Sequence, residues 1–197
     1  MGVLEAHETS WLRWFFRHRG VLVTPPLVFS LVYFRGEVEA PRLCWPLGIG
    51  VVLLGMALRI WAQQHLHHRL RLPMQFTTTG PYQFVRNPLY IGNILIYLGA
   101  IVTSKLAWMV PLTLLWSLGI YFLVVRYEEA HLLEQYGEAY RRYLREVPRW
   151  FPRALEFNNN MGFVTRFFWG SVAAEIHCLL ILFPYLLKEV LSRYVHH

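Results

Sequence analysis

Aspartate is absent from this 197-residue chain, and charged residues of all kinds make up only 16% of it. An ordinary soluble domain carries about a quarter charged residues, so that class is excluded. Cysteine is scarce too. Cys44 and Cys178 lie far apart and form no CxxC pair, which predicts free thiols and no disulfide framework. No cleavable signal peptide is visible, because the first nineteen residues are polar and bear arginines. Hydrophobic residues reach 55%, and mean hydropathy is +0.32. With apolar runs of helix length, these values predict an all-α integral membrane protein forming one domain over residues 1–197. The net charge of +7, beside such runs, favours anionic lipid headgroups over nucleic acid as the partner.

About five transmembrane helices are expected. Residues 1–19 alternate Trp11, Leu12, Trp14, Phe15 and Phe16 with Arg13, Arg17 and Arg19, the pattern of an interfacial amphipathic helix. Gly20 to Phe34 is a short apolar run that Pro25-Pro26 should kink. The next spans run from Cys44 to about Ala62, from Leu89 to Val102, and from Leu106 to about Val125, with a kink expected at Pro111. Gly48, Gly50 and Gly55 permit close helix contacts. Arg59 and Trp61 are expected at the interfacial end of their span. A fifth apolar run, Phe167 to Leu187, contains Glu175, His177 and Pro184. It reads either as a span or as a tilted surface segment. Its two ionisable residues read equally as functional groups or as interfacial ones. Twelve loop lysines and arginines fall on the side of the N-terminus and of residues 127–166, against five on the other. That bias predicts a cytoplasmic N-terminus and a cytoplasmic cap.

Two polar stretches on that side carry the candidate chemistry. The first, Gly80 to Gly92, reads GPYQFVRNPLYIG. Gly80-Pro81 marks a turn, and Asn87-Pro88 stops one segment and starts a helix. A backbone bent there leaves N–H groups free for a polar ligand. The second, Arg126 to Pro152, begins RYEEAHLLEQYGEAYRRYLRE. Leu132, Leu133, Tyr136, Tyr140 and Tyr143 recur at helical spacing, with Gly137 as an interruption. Adjacent Glu128 and Glu129, with Arg86 and Arg126 nearby, form either a cation site or local ion pairs at a solvated helix end.

Together the two stretches resemble the membrane-embedded isoprenylcysteine carboxyl methyltransferase and phospholipid methyltransferase superfamily. The matching positions are Gly80-Pro81-Tyr82, Arg86, Pro88, Tyr90, Gly92, Glu128-Glu129, Leu132, Gly137, Tyr140, Tyr143, Val147-Pro148 and Pro152, within about residues 45–153. The resemblance implies S-adenosyl-L-methionine as methyl donor. It implies cofactor binding by Gly80, Tyr82, Arg86, Asn87, Pro88, Tyr90, Gly92, Glu128 and Glu129, with arginines near Val147 at the substrate end. Two positions depart from the pattern. Asn87 stands where many isoprenylcysteine enzymes have histidine, and Glu146 stands where the family has a basic residue before Val-Pro. Both departures favour a phospholipid amine headgroup or another lipophilic amine over a protein carboxylate. An isoprenylcysteine carboxylate, or a small thiol or isoprenoid acceptor, stays open.

Catalytic candidates follow from the chemistry. An amine must lose a proton, for which Glu129 or His131 is the candidate base. A carboxylate needs a cation to orient it, for which Arg145 or Arg149 is the candidate. Tyr82, Tyr90 and Tyr136 can offer cation–π contacts to a sulfonium. His65, His67 and His68 lack the further ligand of a metal site and read as interfacial residues. His196-His197 reads as a remnant of an expression tag. A nicotinamide-dependent membrane reductase and a non-catalytic scaffold are the competing classes.

Overall fold

The computed structural model describes residues 3–38, 40–70, 76–152 and 167–195. Glu39, Arg71, Arg153, Arg166, His196 and His197 lie outside the described residues. All regular structure among the described residues is helical. It comprises α1 (Val3–Leu22), α2 (Pro25–Val32), α3 (Pro41–Leu70), a 3₁₀ turn at Gly80–Gln83, α4 (Pro88–Thr103), α5 (Met109–Glu146), α6 (Phe168–Glu175), a 3₁₀ stretch at Ile176–Ile181 and α7 (Leu182–Val195).

Among the described residues three segments are long and apolar enough to cross a membrane: Arg42–Leu66, Met109–Glu146 and Phe168–Ser192. Only 17 to 39% of their apolar windows is buried within the chain, which leaves the remaining apolar surface to lipid. Leu53 and Leu54 on α3, Leu115 on α5 and Phe183 on α7 are examples of apolar side chains facing outward. Helix α4 is shorter but equally apolar.

The first apolar run does not form one helix. It enters as the end of α1, so the helix expected at residues 1–19 continues to Leu22, and breaks at Thr24, where the hydroxyl donates to the Val21 carbonyl at 2.7 Å. The Pro25-Pro26 pair then starts α2, since proline fits only the first turn of a helix. The two pieces still follow α5 in the opposite direction. Phe16 packs on Tyr127, Trp116 donates to the Leu22 carbonyl, and Phe29 packs on Trp108. From Tyr127 back to Trp108 is roughly 28 Å at 1.5 Å per residue, about the thickness of a bilayer core.

Helices α3 and α4 pack antiparallel at backbone contact. A Cβ added at Gly55 would lie 2.7 Å from the Gly92 carbonyl oxygen, and one at Gly99 would lie 2.6 Å from that of Gly48. The glycines recur every seven residues on both helices, so one face of each stays free of side chains over two turns. Gly50, expected to join them, meets nothing. Pro111 produces no kink, because it sits in the first turn of α5, where its missing N–H costs nothing. The bend in α5 falls instead at Gly137, at φ 56° and ψ −129°, a backbone conformation open only to glycine.

The fifth run, interrupted by its 3₁₀ stretch, follows the bundle lengthwise. Glu175 pairs with Arg59 near one end. Near the other, Lys188 reaches Glu37 at 2.9 Å while Lys105 bridges Glu37 and Glu189 at 2.8 Å each. Cys44 and Cys178 are free. Helices α3 and α5 run parallel, and both are longer than a bilayer needs. Their surplus length projects at the same end of the bundle, where the 80–92 loop lies.

Substitution Gly99→Val should lower stability by about 1–3 kcal/mol, because the new side chain meets the Gly48 backbone. Gly50→Ala should change it by less than about 0.5 kcal/mol. Thermal unfolding of both variants in detergent checks the contrast.

Candidate functional site

Local sequence shapes the loop first. Gly80 adopts φ +60°, and a Cβ there would lie 2.2 Å from the His65 ring. His65 is buried, and its Nδ1 bonds the Thr79 hydroxyl at 2.9 Å. It is therefore a support for the loop rather than an interfacial histidine. Pro81 and Tyr82 are buried in the 3₁₀ turn. Pro88 then begins α4, whose first ladder bond runs from the Ile91 amide to the Asn87 carbonyl. The Leu89 and Tyr90 amides precede that bond, so they have no helical acceptor, and both residues line a cavity.

The chain beyond Gly137 folds back over this loop. The Tyr143 hydroxyl donates to the Tyr82 carbonyl at 2.6 Å, and the Arg86 amide donates to the Pro148 carbonyl at 2.9 Å. The Asn87 side-chain amide donates to the Arg149 carbonyl at 3.3 Å. Tyr136, Tyr140 and Tyr143 surround the Phe76 ring. The two polar stretches, far apart in sequence, thus form one roofed site.

The cavity measures about 430 Å³, is partly open, and is bounded by Arg86, Asn87, Pro88 and Tyr90 on the loop side and by Glu128 and Glu129 on α5. That volume falls in the range of about 300–1,000 Å³ typical of small-molecule sites. A side chamber of about 180 Å³, mostly aromatic, adjoins it at Tyr82, Arg86 and Tyr140 and includes Tyr136.

The two carboxylates have different surroundings. Glu129 is gripped in bidentate fashion by Arg149, at 2.5 and 3.2 Å, and lies 3.4 Å from Arg86. Its charge is spent on closing the roof. Glu128 has no ion pair among the described residues. It interacts with the Tyr90 hydroxyl inside the cavity. Burial first, and then the Glu128 charge, push the Tyr82 phenol above its ordinary range, so it stays a protonated donor.

Not every expected residue reaches the cavity. His131 is exposed and stacks on Tyr127. Arg145 is exposed and pairs with Glu138 at 3.2 Å, and Arg126 is exposed as well. Helical phase sets His131 beside Tyr127, about 60° from Glu128 and about 100° from Leu132, on the flank of the stripe that lines the cavity. Gly80 and Gly92 support the loop and the α3–α4 contact rather than lining the cavity. Several lining residues were not anticipated, among them Gln63, Asn93 and two arginines. Arg19 comes from α1, and Arg59 points inward to the cavity instead of snorkelling outward. The isolated apolar surroundings of Arg59 were the available signal.

The residues suit a sulfonium-bearing amino acid. Glu128 offers an unpaired carboxylate to a cation. The terminal nitrogens of Arg86 and the open amides of α4 offer donors to a carboxylate, while Arg86 Nε itself faces Glu129 at 3.4 Å. Among the described residues no group of three or more His, Cys, Asp or Glu is placed to hold a metal.

The phospholipid methyltransferase family matches residues 43–139, just under half of the chain, and the chain is similar to that family over this stretch. Three curated relatives are similar to the chain. The cobalt-zinc-cadmium resistance protein CzcN of Cupriavidus metallidurans is 34% identical over 132 residues, covering 66% of this chain and 59% of that one. The methanethiol S-methyltransferase of Crocosphaera subtropica is 36% identical over 87 residues, covering 41% and 30%. The nickel-cobalt-cadmium resistance protein NccN of Alcaligenes xylosoxydans xylosoxydans is 31% identical over 120 residues, covering 60% and 53%. The chain thus spans from under a third to just under three fifths of the length of these relatives. No solved structure matches it.

Removing the roof bond by Tyr143→Phe should cost about 1 kcal/mol. Hydrogen exchange of the amides between residues 138 and 149 should quicken, while the α3–α4 interface keeps its protection.

Proposed function

We propose that the chain is an S-adenosylmethionine-dependent methyltransferase acting at the membrane interface on a lipophilic acceptor, with a phospholipid amine headgroup as that acceptor. The observation that carries this reading is the meeting of Tyr90 and the unpaired Glu128 in one cavity beneath the segment that follows Gly137. S-adenosylmethionine supplies a methyl group on a cationic sulfur, open to in-line displacement without a covalent enzyme intermediate. The protein's work is then alignment and exclusion of water. Glu128 holds the positive end of the donor, and Arg86 with the α4 amides holds its carboxylate. The roof closed by Glu129 and Tyr143 shields that side from bulk water. The arginine bias of the loops supports a cytoplasmic face for this cavity.

Acceptor chemistry follows from which groups remain available. An amine must shed a proton before attack, and Glu128, beside the donor it holds, is the cavity carboxylate with no arginine paired to it among the described residues and so the candidate base. His131 lies outside the cavity lining, and Glu129 is committed to two arginines. A carboxylate acceptor needs a cation near Val147 that faces it, but Arg145 is exposed outside the cavity and Arg149 directs two of its nitrogens to Glu129. A small thiol is the second reading, favoured by the methanethiol S-methyltransferase relative. It would use the same base.

Calorimetry on the full chain in detergent should show binding of S-adenosylhomocysteine and none of NADPH. Glu128→Gln should weaken that binding tenfold or more, about 1.4 kcal/mol, while His131→Ala and Arg145→Ala leave it unchanged. Binding of NADPH in place of S-adenosylhomocysteine would overturn the reading in favour of a reductase. Incubation with labelled S-adenosylmethionine and a membrane extract then identifies the acceptor from the labelled product.

A further inference from the structure

Arg59 stands apart from the groups assigned to the donor. It lines the membrane-side end of the cavity with Gln63 and Asn93. Its guanidinium donates through Nε to Glu175 at 2.5 Å, through one terminal nitrogen to the other Glu175 oxygen at 2.9 Å, and through the second to Asn93. Glu175 is only 1% exposed. It comes from α6, outside the residues 43–139 that the family covers. A charge pair inside the apolar part of a bundle carries a desolvation cost that well-packed apolar residues avoid. Packing does not require the pair, since α3 and α4 already close through their glycines. What the pair does provide is direction. Two-point attachment fixes the plane of the guanidinium, and two of its five N–H groups remain for a ligand. Arg19 lines the same cavity, but its charge acts on Glu128 and Tyr90, so Arg59 is the cation that this end presents.

We propose that this end of the cavity seats the phosphate of the acceptor's headgroup, with Arg59 donating hydrogen bonds to its oxygens and Glu175 acting as the positioning residue. The inference rests on the methyltransferase reading and divides the cavity between donor and acceptor. The donor lies at Glu128, and the acceptor phosphate lies at Arg59. It also makes the segment 168–192 part of the site rather than an added anchor.

The test uses the full chain in dodecyl maltoside micelles and reads thermal unfolding with phosphatidylethanolamine, diacylglycerol or inorganic phosphate added. Phosphatidylethanolamine should raise the melting temperature, and diacylglycerol, which lacks the phosphate, should not. An equal response to inorganic phosphate supports the phosphate site and assigns it to a soluble ligand. In Glu175→Gln the phosphatidylethanolamine concentration giving half the effect, and the KM for it in labelled methyl transfer, should rise about tenfold. The dissociation constant for S-adenosylhomocysteine should stay within twofold. Asn93→Ala, which removes one of the three contacts, should shift both in the same direction if Glu175→Gln does not fold. Unchanged phosphatidylethanolamine dependence in the folded variants, an equal response to diacylglycerol, or a matching loss of S-adenosylhomocysteine affinity would overturn the proposal. Wild-type protein that binds S-adenosylhomocysteine yet responds to neither phosphatidylethanolamine nor phosphate overturns this inference alone. Wild-type protein that does not bind S-adenosylhomocysteine overturns the reading beneath it.

Discussion

Glu129 ties together parts of the chain that nothing else in the sequence brings near each other. It projects from α5 just beyond the membrane-crossing part, takes Arg149 from the returning segment and approaches Arg86 from the loop. Three charges in a half-buried setting stabilise one another only in a narrow geometry. The roof is therefore either in register, with Tyr143 on the Tyr82 carbonyl and Asn87 on the Arg149 carbonyl, or it is open. The cavity exists because that register is satisfied.

The membrane part of the bundle serves the same end. Close approach of α3 and α4 through Gly48, Gly55, Gly92 and Gly99 sets the height of the loop that α4 begins. Were those helices farther apart, Arg59 on α3 would not reach Asn93 on α4. The pair of Arg59 with Glu175 extends the arrangement to the last apolar segment. A charged group that faces the bundle interior instead of the headgroups is the costlier solution, and it is found here at the wall of the cavity.

Adjacent carboxylates with separate tasks are the chemical core of the site. Glu128 and Glu129 are neighbours in sequence and differ by 100° around the helix. One turns toward Tyr90 and the cavity, and the other toward the two arginines. The family match spans both residues, and their partners differ: Glu129 meets two arginines, and Glu128 meets Tyr90.

Much was legible in the residues themselves. Length and apolarity of the runs fix the helical membrane class, because lipid offers the backbone no hydrogen bonds. Pro25-Pro26 marked a break and Gly137 an interruption, because both rules act within a few residues of chain. The side of Arg59, the outward turn of His131, the commitment of Arg145 to Glu138 and the burial of His65 were not legible. Each depends on what lies across from the residue, supplied by a segment dozens of positions away or by helical phase against a neighbour. Local rules decide where a backbone can bend or continue. Only packing in three dimensions decides which charge meets which, since that is settled by a few ångströms of approach between helices that the sequence lists far apart.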